Sequence, residues 1–462
     1  MASFYVENFG CRATQADGAA IERQFQECGL ARADAPARAE IVVLNSCTVT
    51  ASADQDARAA IRRIHRENPN CQIVVTGCYA QRAPQEVASL PGVARVIGNS
   101  HKHRLAEIVL SSRPTAFVDS RFVPLSSLAP DIFVSDIFAH TELLAAPVFD
   151  AANRRTRPNL KVQDGCDNRC SFCVIPSVRG QSRSLPLDRI LGEITALVNS
   201  GYREVVISGI NLGRWGRDFE PTENRELGTD NCSSSSRDAQ QFHFDDLIRA
   251  ILSETSLEKL RISSVEPMDW SDQLIRLMAA SPRIAKHAHV PMQSGSDRVL
   301  RAMHRKYRPW HYREKVEKIR AAMPGAAIGA DVMVGFPGES ESDFEETRRM
   351  IEELPFTYLH VFTYSRRPGT PAAEMRNQIP VQVARERNRI LRDLAAEKKL
   401  AFMRWFVGKT VEAITLNVFD GKSTEALTDN YLKLHLTGQH EPNRWLEAQV
   451  QQVADGALVA TL

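Results

Sequence analysis

Three cysteines lie close together near the middle of the chain, directly after the strand-like run "PNLKV". The spacing CxxxCxxC puts Cys166, Cys170 and Cys173 on one loop, too close for disulfides between them and one ligand short of a closed tetrahedral site. Three thiolates at this spacing suit a 4Fe-4S cluster with one iron left free, because catalytic zinc sites usually include histidine or carboxylate ligands. A zinc knuckle is the alternative that the spacing leaves open.

The composition indicates a folded globular protein of about three domains, since the chain has 462 residues and 43% of them are hydrophobic. The net charge of +2 argues neither for nor against a polyanionic partner. The start "MASFYVENFG" lacks a signal-peptide pattern, and no stretch approaches the roughly 18 apolar residues of a membrane span. We therefore expect a cytoplasmic protein without a membrane association, whose nine cysteines are reduced ligands or nucleophiles.

Residues 1 to about 100 alternate short apolar runs with helical stretches, which predicts βα units on a parallel sheet. Three of the runs end at Cys11, Cys47 and Cys78. Because the carboxyl ends of parallel strands meet at one edge of the sheet, these three thiols should converge there. Cys28 and Cys71 lie outside the pattern, and we interpret them as packing or surface residues.

The predicted fold class is α/β, in three parts. Residues 1–135 form a doubly wound parallel domain, residues 150–400 a partial (β/α)6 barrel, and residues 401–462 a small antiparallel β-barrel. The central strands are predicted at six runs, "NLKVQD", "EVVISG", "LRISSV", "HAHVPM", "IGADVMVG" and "LHVFTYS". A mixed stretch, about 111–158, links the first two domains, and the polar, Ser-rich segment 218–243 is typical of a surface insertion.

The loop "GCDNRCSFCVIPSVRGQSRS" resembles the cluster loop of radical S-adenosylmethionine enzymes, and in particular that of the methylthiotransferases. The resemblance implies that Cys166, Cys170 and Cys173 are the catalytic residues and hold a 4Fe-4S cluster. In that superfamily the free iron binds S-adenosylmethionine, which is cleaved to methionine and a 5'-deoxyadenosyl radical. Phe172 would be the aromatic residue that commonly precedes the last ligand.

The resemblance extends over nearly the whole chain. In the family, the N-terminal cysteines that match Cys11, Cys47 and Cys78 hold a second 4Fe-4S cluster, which takes part in sulfur and methyl delivery. The C-terminal segment around "TDNYLKL" resembles the RNA-binding TRAM domain. One departure is Thr14, which stands where the family usually has Asn, so we expect the hydrogen bonding around the second site to differ in detail.

Candidate contacts of S-adenosylmethionine follow the central strands. The loop "SGINLGRWG", Ser208–Gly216, ends a strand with three glycines that permit a close backbone approach. Residues at the carboxyl ends of the third and fourth strands, and "ADVMVGFPGE", which resembles the family's adenosyl-binding strand, complete the set. The candidates are Phe172, Ser208, Gly209, Asn211, Glu266, Gln293 and Asp331. Ordinary turns, helix caps and a solvated Asp331 are the alternatives.

Two stretches beside the expected active-site mouth are basic. Residues 298–320 contain nine Lys or Arg and two Glu, and residues 151–190 contain eight Lys or Arg and three Asp. Phosphate contacts and solvated helix faces both account for this pattern. Residues 401–462 contain five Lys or Arg and seven acidic residues, so this domain would bind RNA through a small patch or by shape.

The expected function is that of a tRNA methylthiotransferase acting on C2 of N6-threonylcarbamoyladenosine at position 37, next to the anticodon. This acceptor follows from the likeness of "NSCTVTASAD" and "QDGCDNRCSFCVIPSVRG" to one subfamily. The implied cofactors are two 4Fe-4S clusters and S-adenosylmethionine. The implied partners are the tRNA anticodon stem-loop, an electron donor such as a flavodoxin or ferredoxin, and a sulfur source. Alternatives are isopentenyladenosine in tRNA, a ribosomal-protein aspartate, or a Cys-ligated zinc protein that only binds RNA.

Overall fold

The structure is a computed structural model that describes residues 2–111, 130–139, 143, 157–219 and 242–462. Most of the predicted linker, 111–158, and most of the predicted Ser-rich insertion, 218–243, lie outside these residues. Within the described ranges, no helix has both the length and the apolar composition needed to cross a membrane.

The N-terminal part is a parallel sheet. Six of the described strands pair in the order β2-β1-β3-β4-β5-β6, all parallel to their neighbours. They are β1 (Ser3–Asn8), β2 (Ala31–Arg32), β3 (Ile41–Ser46), β4 (Gln72–Gly77), β5 (Val93–Gly98) and β6 (Asp131–Phe133). The predicted doubly wound sheet is confirmed. The sequence does not locate the two edge strands, β2 and β6, because strands of two or three residues are too short to show a hydrophobic pattern.

Helices cover both faces of this sheet. They are α1 (Arg12–Glu27), α2 (Ala51–Glu67), α3 (Cys78–Arg82), α4 (Pro84–Ala88) and α5 (Leu105–Ser111). The α2 helix begins after Thr50, whose side chain accepts a hydrogen bond from the backbone N of Ala53 at 3.2 Å. Two apolar clusters form, one containing Val42 and Ile61 and the other containing Phe4. A sheet buried on both faces explains why its middle strands are continuously apolar.

The central part is a curved wall of parallel strands. They are β7 (Asn159–Asp164), β9 (Glu204–Gly209), β10 (Lys259–Ile262), β11 (His287–His289), β12 (Ala327–Val334) and β13 (Tyr358–Thr363), and β8 (Arg183–Ser184) adds an antiparallel pair to β7. The strands pair as β10-β9-β7-β8 and β11-β12-β13. Bridges between Leu260 and Ile284 and between Ser264 and His289 join the two groups. The predicted partial barrel is confirmed, although β11 ends at His289, three residues before the end of the predicted run.

Helices connect these strands. They are α6 (Ile175–Arg179), α7 (Leu187–Asn199), α8 (Phe244–Glu254), α9 (Asp272–Ala280), α10 (Asp297–Ala302), α11 (Pro309–Ala322), α12 (Glu341–Glu353) and α13 (Pro371–Glu374). Apolar residues of the longer helices, such as Ile194, Ile248 and Ile319, form one large core with the strands. The core therefore lies between the wall and its helices, and the inner side of the wall is left for a site.

The barrel is open between its first and last strands, and the N-terminal domain covers the opening. On one side α1 packs against β7. On the other side the backbone N of Ala51 donates to Ser365 Oγ at 3.0 Å, and Arg367 Nη1 donates to Asp54 Oδ2 at 2.7 Å. Because β7 and β13 do not pair with each other in the described chain, the N-terminal domain supplies the missing part of the wall.

A second, smaller barrel follows the long helix α14 (Val381–Arg404). Its strands are β14 (Thr410–Phe419), β15 (Ser423–Thr428), β16 (Lys433–Thr437), β17 (Trp445–Ala454) and β18 (Ala457–Thr461), closed in the order β14-β15-β16-β18-β17. A closed ring of five strands cannot alternate direction throughout, so the β16·β18 pair is parallel and the other pairs are antiparallel. The ion pair between Lys259 Nζ and Glu412 Oε2, at 2.8 Å, fixes it to the amino end of β10. The domain limits 1–135, 150–400 and 401–462 stay predictions.

Buried charge joins α1 to the central barrel. The members of this buried ion network are Asp17, Lys102, Lys161, Asp164 and Arg179. Asp17 contacts Lys161 and accepts hydrogen bonds from Arg179 Nη2 at 2.9 Å and Lys102 Nζ at 3.0 Å. Asp164 accepts from Lys161 at 2.7 Å and from Arg179 at 2.9 Å. Burial alone would raise the pKa of Asp17, but the three cations hold it well below its usual range, so Asp17 stays ionised.

We expect Asp17→Asn to lower the free energy of unfolding by about 3–5 kcal/mol, because three buried cations would then share one carboxylate. Urea unfolding followed by circular dichroism measures this loss. Asp34→Asn is the matched control, since it breaks an exposed pair with Arg38, 2.7 Å apart, and should cost less than about 1 kcal/mol. Equal losses in the two variants would contradict the role given to the buried ion network.

Candidate active site between two cysteine triads

The loop after β7 positions the first triad, which consists of Cys166, Cys170 and Cys173. Gly165 starts the loop with φ of +71°, and a Cβ at this position would lie 1.8 Å from the carbonyl oxygen of Gln181. The backbone N of Cys166 then donates to the carbonyl oxygen of Gly180 at 3.0 Å. The glycine before the first cysteine is therefore a steric requirement, because the returning chain passes directly over it.

Donors surround two of the three sulfurs. Cys166 Sγ accepts from the backbone N of Asn168 at 3.4 Å and from Asn211 Nδ2 at 3.6 Å. Cys170 Sγ accepts from Arg305 Nη1 at 3.2 Å. Hydrogen bonds to ligand sulfurs tune the reduction potential of an iron-sulfur cluster, so these three donors are suited to that task.

Burial controls the protonation of this triad. Burial raises the pKa of Cys173 to about 12 and also raises the pKa of Cys166. Such thiols keep their protons at neutral pH unless a metal displaces them. Burial would lower the pKa of Arg305, but Tyr307 and Glu266 beside it raise that pKa well above its usual value. A fixed positive charge therefore stands next to the sulfurs.

Four predicted contacts of S-adenosylmethionine lie at this end of the barrel. Ser208 and Gly209 end β9, Asn211 is a donor to the first triad, and Glu266 contacts Arg305 without capping a helix through its side chain. Ser208 Oγ, Asn211 Oδ1 and Arg305 Nε are buried and have no hydrogen-bond partner among the described residues. Buried polar atoms are normally satisfied, so these orphaned atoms fit a polar ligand.

Of the other three predicted contacts, Gln293 follows β11, Asp331 lies in β12, and Phe172 belongs to the loop of the first triad. Gln293, with φ of +64°, donates its backbone N to the carbonyl oxygen of Asp331 at 2.8 Å. The Asp331 side chain faces inward, 3.3 Å from His289. The Phe172 ring packs edge-on against Phe336, with ring centroids 6.5 Å apart. The role of all seven residues as S-adenosylmethionine contacts stays a prediction.

The second triad consists of Cys11, Cys47 and Cys78. These cysteines follow β1, β3 and β4, which are adjacent in the sheet, so they meet at one edge as the strand order requires. Burial raises the pKa of Cys47 to about 12, and the nearby sulfurs of Cys78 and Cys11 add to the rise. Thr14 Oγ1 lies 3.7 Å from Cys11 Sγ, and Asn99 Nδ2 donates to Cys78 Sγ at 3.6 Å. Thr14, which stands where the family usually has Asn, therefore still contacts a cysteine sulfur.

The short helix α6 brings the two triads together. It begins two residues after Cys173, and Val174 and Val178 pack with Cys78 in one apolar cluster. Asn99 Nδ2 also donates to the carbonyl oxygen of Val178 at 2.7 Å. The loop of the first triad therefore rests directly on the strand edge that carries the second.

The spacing of the sulfurs bears on the kind of metal site. Among the His, Cys, Asp and Glu residues of the described chain, one group of three is placed to hold a single metal ion. It consists of His289, Asp331 and His360, whose ligand atoms lie within 4.8 Å of one another. Neither cysteine triad forms such a group. A zinc ion with Zn–S bonds of about 2.3 Å would hold its thiolates within about 4 Å of one another. Within the described residues, the triads therefore lack the close arrangement of a preformed zinc site.

A pocket of about 920 Å³, including its open mouth, lies inside the barrel beside the second triad. Its described lining comes from all three parts of the chain. Cys11 and Arg12 belong to the N-terminal domain, Ser208 and His289 to the barrel strands, and Tyr431 to the C-terminal barrel. A ligand in this pocket would touch a second-triad cysteine and a barrel strand end at the same time.

Several basic residues have roles that a count of charges along the sequence does not reveal. Lys161 and Arg179 belong to the buried ion network, and Arg305 contacts a sulfur of the first triad. They were counted within the basic stretches 151–190 and 298–320, but as buried residues they are neither phosphate contacts nor solvated. One signal was available for Lys161, since a charged residue inside a buried strand requires a partner.

Comparisons with known proteins agree with this architecture. The model of the "Uncharacterized protein family UPF0004" matches residues 3–98, and that of the Radical SAM superfamily matches residues 160–351. The chain is 34% identical to "Threonylcarbamoyladenosine tRNA methylthiotransferase MtaB" of Bacillus subtilis (strain 168), over 96% of this chain and 92% of that protein. It is 35% identical to "tRNA-2-methylthio-N(6)-dimethylallyladenosine synthase" of Nocardia farcinica (strain IFM 10152), over 89% of this chain and 77% of that protein.

The MtaB protein of Aquifex aeolicus (strain VF5) is 33% identical over 94% of this chain and 97% of its own length. Among solved structures, the radical S-adenosylmethionine methyltransferase TsrM from Kitasatospora setae has a similar fold, with a TM-score of 0.54 and 15% identity over 80% of this chain and 75% of that one. The resemblance found in the sequence is thus confirmed over nearly the full length. The chain belongs to the family of radical S-adenosylmethionine methylthiotransferases.

Proposed function

We propose that this enzyme transfers a methylthio group to C2 of N6-threonylcarbamoyladenosine at position 37 of tRNA, next to the anticodon. The observation that carries the proposal is the packing of α6, which continues the loop of the first triad, against Cys78 of the second. Hydrogen removal and sulfur delivery must reach the same carbon atom, and this packing places the two triads side by side. The acceptor is the nucleoside in the name of the MtaB relatives.

The cofactors are two 4Fe-4S clusters and S-adenosylmethionine. In this proposal the first triad holds the cluster that binds S-adenosylmethionine, and the second triad holds the other cluster. C2 of adenine is electron-poor and its C–H bond is strong, so neither a base nor a polar nucleophile readily functionalises it. When bound, these groups supply the one-electron chemistry that removes the hydrogen and the sulfur that replaces it.

The chain's own residues orient these groups and balance their charge. Arg305, fixed by Glu266, presents a positive charge to Cys170. Lys102 and Arg179 of the buried ion network lie close enough to Cys78 to interact with its charge. Cations beside a thiolate-bound cluster offset its negative charge and favour its reduced form.

The RNA partner in this proposal is the anticodon stem-loop, with the target base splayed out of the loop into the barrel. Exposed residues beside the first triad are available for it. Arg169 adjoins Cys170, and Lys306 shares a small pocket with it; both are exposed cations. Trp310, at the start of α11, is an exposed ring with 56% of its surface accessible. A flavodoxin or ferredoxin as electron donor, a sulfur source and a cytoplasmic location belong to the same proposal.

The acceptor is tested with protein reconstituted anaerobically with iron and sulfide, S-adenosylmethionine and a reductant. We expect a methylthio group on RNA that carries N6-threonylcarbamoyladenosine, detected by mass spectrometry of the nucleosides. RNA carrying isopentenyladenosine, and a ribosomal protein with an exposed aspartate, should stay unmodified. Modification of either one instead would contradict the acceptor, and a zinc-containing, colourless protein without activity would contradict the enzyme itself.

Replacing Cys166, Cys170 and Cys173 together by Ala should lower the iron content from about eight to about four per chain, because one of two 4Fe-4S clusters is lost. Cleavage of S-adenosylmethionine should stop. Iron analysis and chromatography of the products measure the two effects. Cys28→Ala, at an exposed cysteine outside both triads, is the control that should keep all the iron. Iron at the wild-type level in the triple variant would refute this assignment.

Replacing Cys11, Cys47 and Cys78 together by Ala should give the complementary result. We expect about four irons per chain and continued formation of 5'-deoxyadenosine, but no methylthio product, because only the sulfur-delivering site is removed. The same two assays and nucleoside mass spectrometry report this pattern. Methylthio product formed by this variant would show that the second triad does not deliver sulfur.

A further inference from the structure

The pocket inside the barrel contains a cation without an acidic partner. Arg12 follows Cys11 directly, is partly buried, and is the one Lys or Arg among the pocket's described lining residues. Its Nη2 donates to Tyr431 Oη at 3.3 Å, which is a neutral acceptor. Within the described chain no carboxylate lies at ion-pair distance from Arg12. A partly buried charge without a counter-charge favours the binding of an anion.

The other charges around this pocket are already paired. Arg261 donates to Glu204 Oε1 at 2.6 Å, and Arg157 lies 3.8 Å from the same carboxylate. Asp331 lies 3.3 Å from His289. These pairs leave Arg12 as the charge that is available to a ligand.

Two of the three histidines of the pocket do not compete for this role, and the third, His289, already lies against Asp331. Burial lowers the pKa of His360 and lowers that of His287 well below its usual value, so both are neutral near pH 7. His287 Nε2 lies 2.7 Å from Tyr358 Oη. The Tyr358 ring lies across Gly329, where a Cβ would come within 2.0 Å of it. The histidines therefore offer hydrogen bonds, and the aromatic wall of the pocket is fixed in place.

Two serine hydroxyl groups also line the pocket. Ser208 Oγ and Ser263 Oγ are buried, line the pocket, and have no hydrogen-bond partner in the described residues. The pocket thus offers one cation and several uncharged polar groups around a single space. Such a lining matches a ligand that carries an anionic group together with hydroxyl or amide groups.

We propose that this pocket binds the amino-acid part of the modified adenine, with the substrate carboxylate on Arg12. The inference rests on the proposed function, because a threonylcarbamoyl group carries a carboxylate, a hydroxyl and a urea-like linkage, whereas a dimethylallyl group is a hydrocarbon. A site for the hydrocarbon alone would have no use for an unpaired cation such as Arg12. Because Arg12 adjoins Cys11, holding the carboxylate there also keeps the purine beside the second triad.

The test compares two synthetic anticodon stem-loops, one with N6-threonylcarbamoyladenosine and one with its threonine carboxamide, which lacks the negative charge. For each RNA, kcat/KM for methylthiolation and the dissociation constant are measured with the wild type, Arg12→Gln and Arg12→Lys. The wild type should prefer the carboxylate by roughly 10- to 100-fold, as expected for a hydrogen bond to a charged group. Arg12→Gln should abolish this preference, and its kcat/KM and dissociation constant for the carboxamide RNA should equal those of the wild type. Arg12→Lys should keep part of the preference.

Arg62→Gln, at an exposed arginine of α2, is the matched control and should keep wild-type values. Iron content and S-adenosylmethionine cleavage without RNA should be unchanged in Arg12→Gln. Equal losses for both RNAs, which a phosphate contact would produce, would overturn the inference. A loss of S-adenosylmethionine cleavage would overturn it too, since Arg12 would then serve the cofactor. Failure of the wild type to modify either RNA would count against the proposed function, and the two dissociation constants would still decide the role of Arg12.

Discussion

The arrangement of the active site depends on the buried ion network between α1 and the central barrel. Its two carboxylates and three cations are almost completely removed from water, and such a network offsets its desolvation cost only when every partner is in place. Cys11 immediately precedes α1, and Arg179 ends α6, which follows Cys173. The contact that docks the N-terminal domain therefore also sets the position of one triad relative to the other.

The same network carries one more positive than negative charge, and part of that surplus faces the second triad. Lys102 and Arg179 both lie near the Cys78 sulfur, and Arg179 counters the rise that burial causes in the pKa of Cys47. In the proposed function, a cluster held by the thiolates of the second triad would supply negative charge at that edge. Domain docking and cofactor binding should therefore support each other, because a ligand that binds only the folded arrangement stabilises it.

The sequence predicts the parts of this structure that local patterns determine. The runs of β7 and β9 match the observed strands, and the cysteines of both triads stand where their spacing or strand order requires. The pocket is not predictable in this way, because Arg12, His360 and Tyr431 lie in three separate domains and each is an ordinary residue in its own segment. Arg305 is missed for a related reason, since a count of charges does not distinguish a buried guanidinium from a solvated one.

An incomplete barrel explains why three domains share one pocket. A closed (β/α)8 barrel fills its interior with side chains from its own strands. Here six parallel strands leave a gap, which α1 covers from one side, while Tyr431 of the C-terminal barrel reaches the interior from the amino ends of the strands. The residues that recognise a ligand can thus come from domains other than the one that carries the first triad. A change in the docking of the N-terminal domain would then alter substrate recognition together with the distance between the triads, so specificity and chemistry are coupled through that interface.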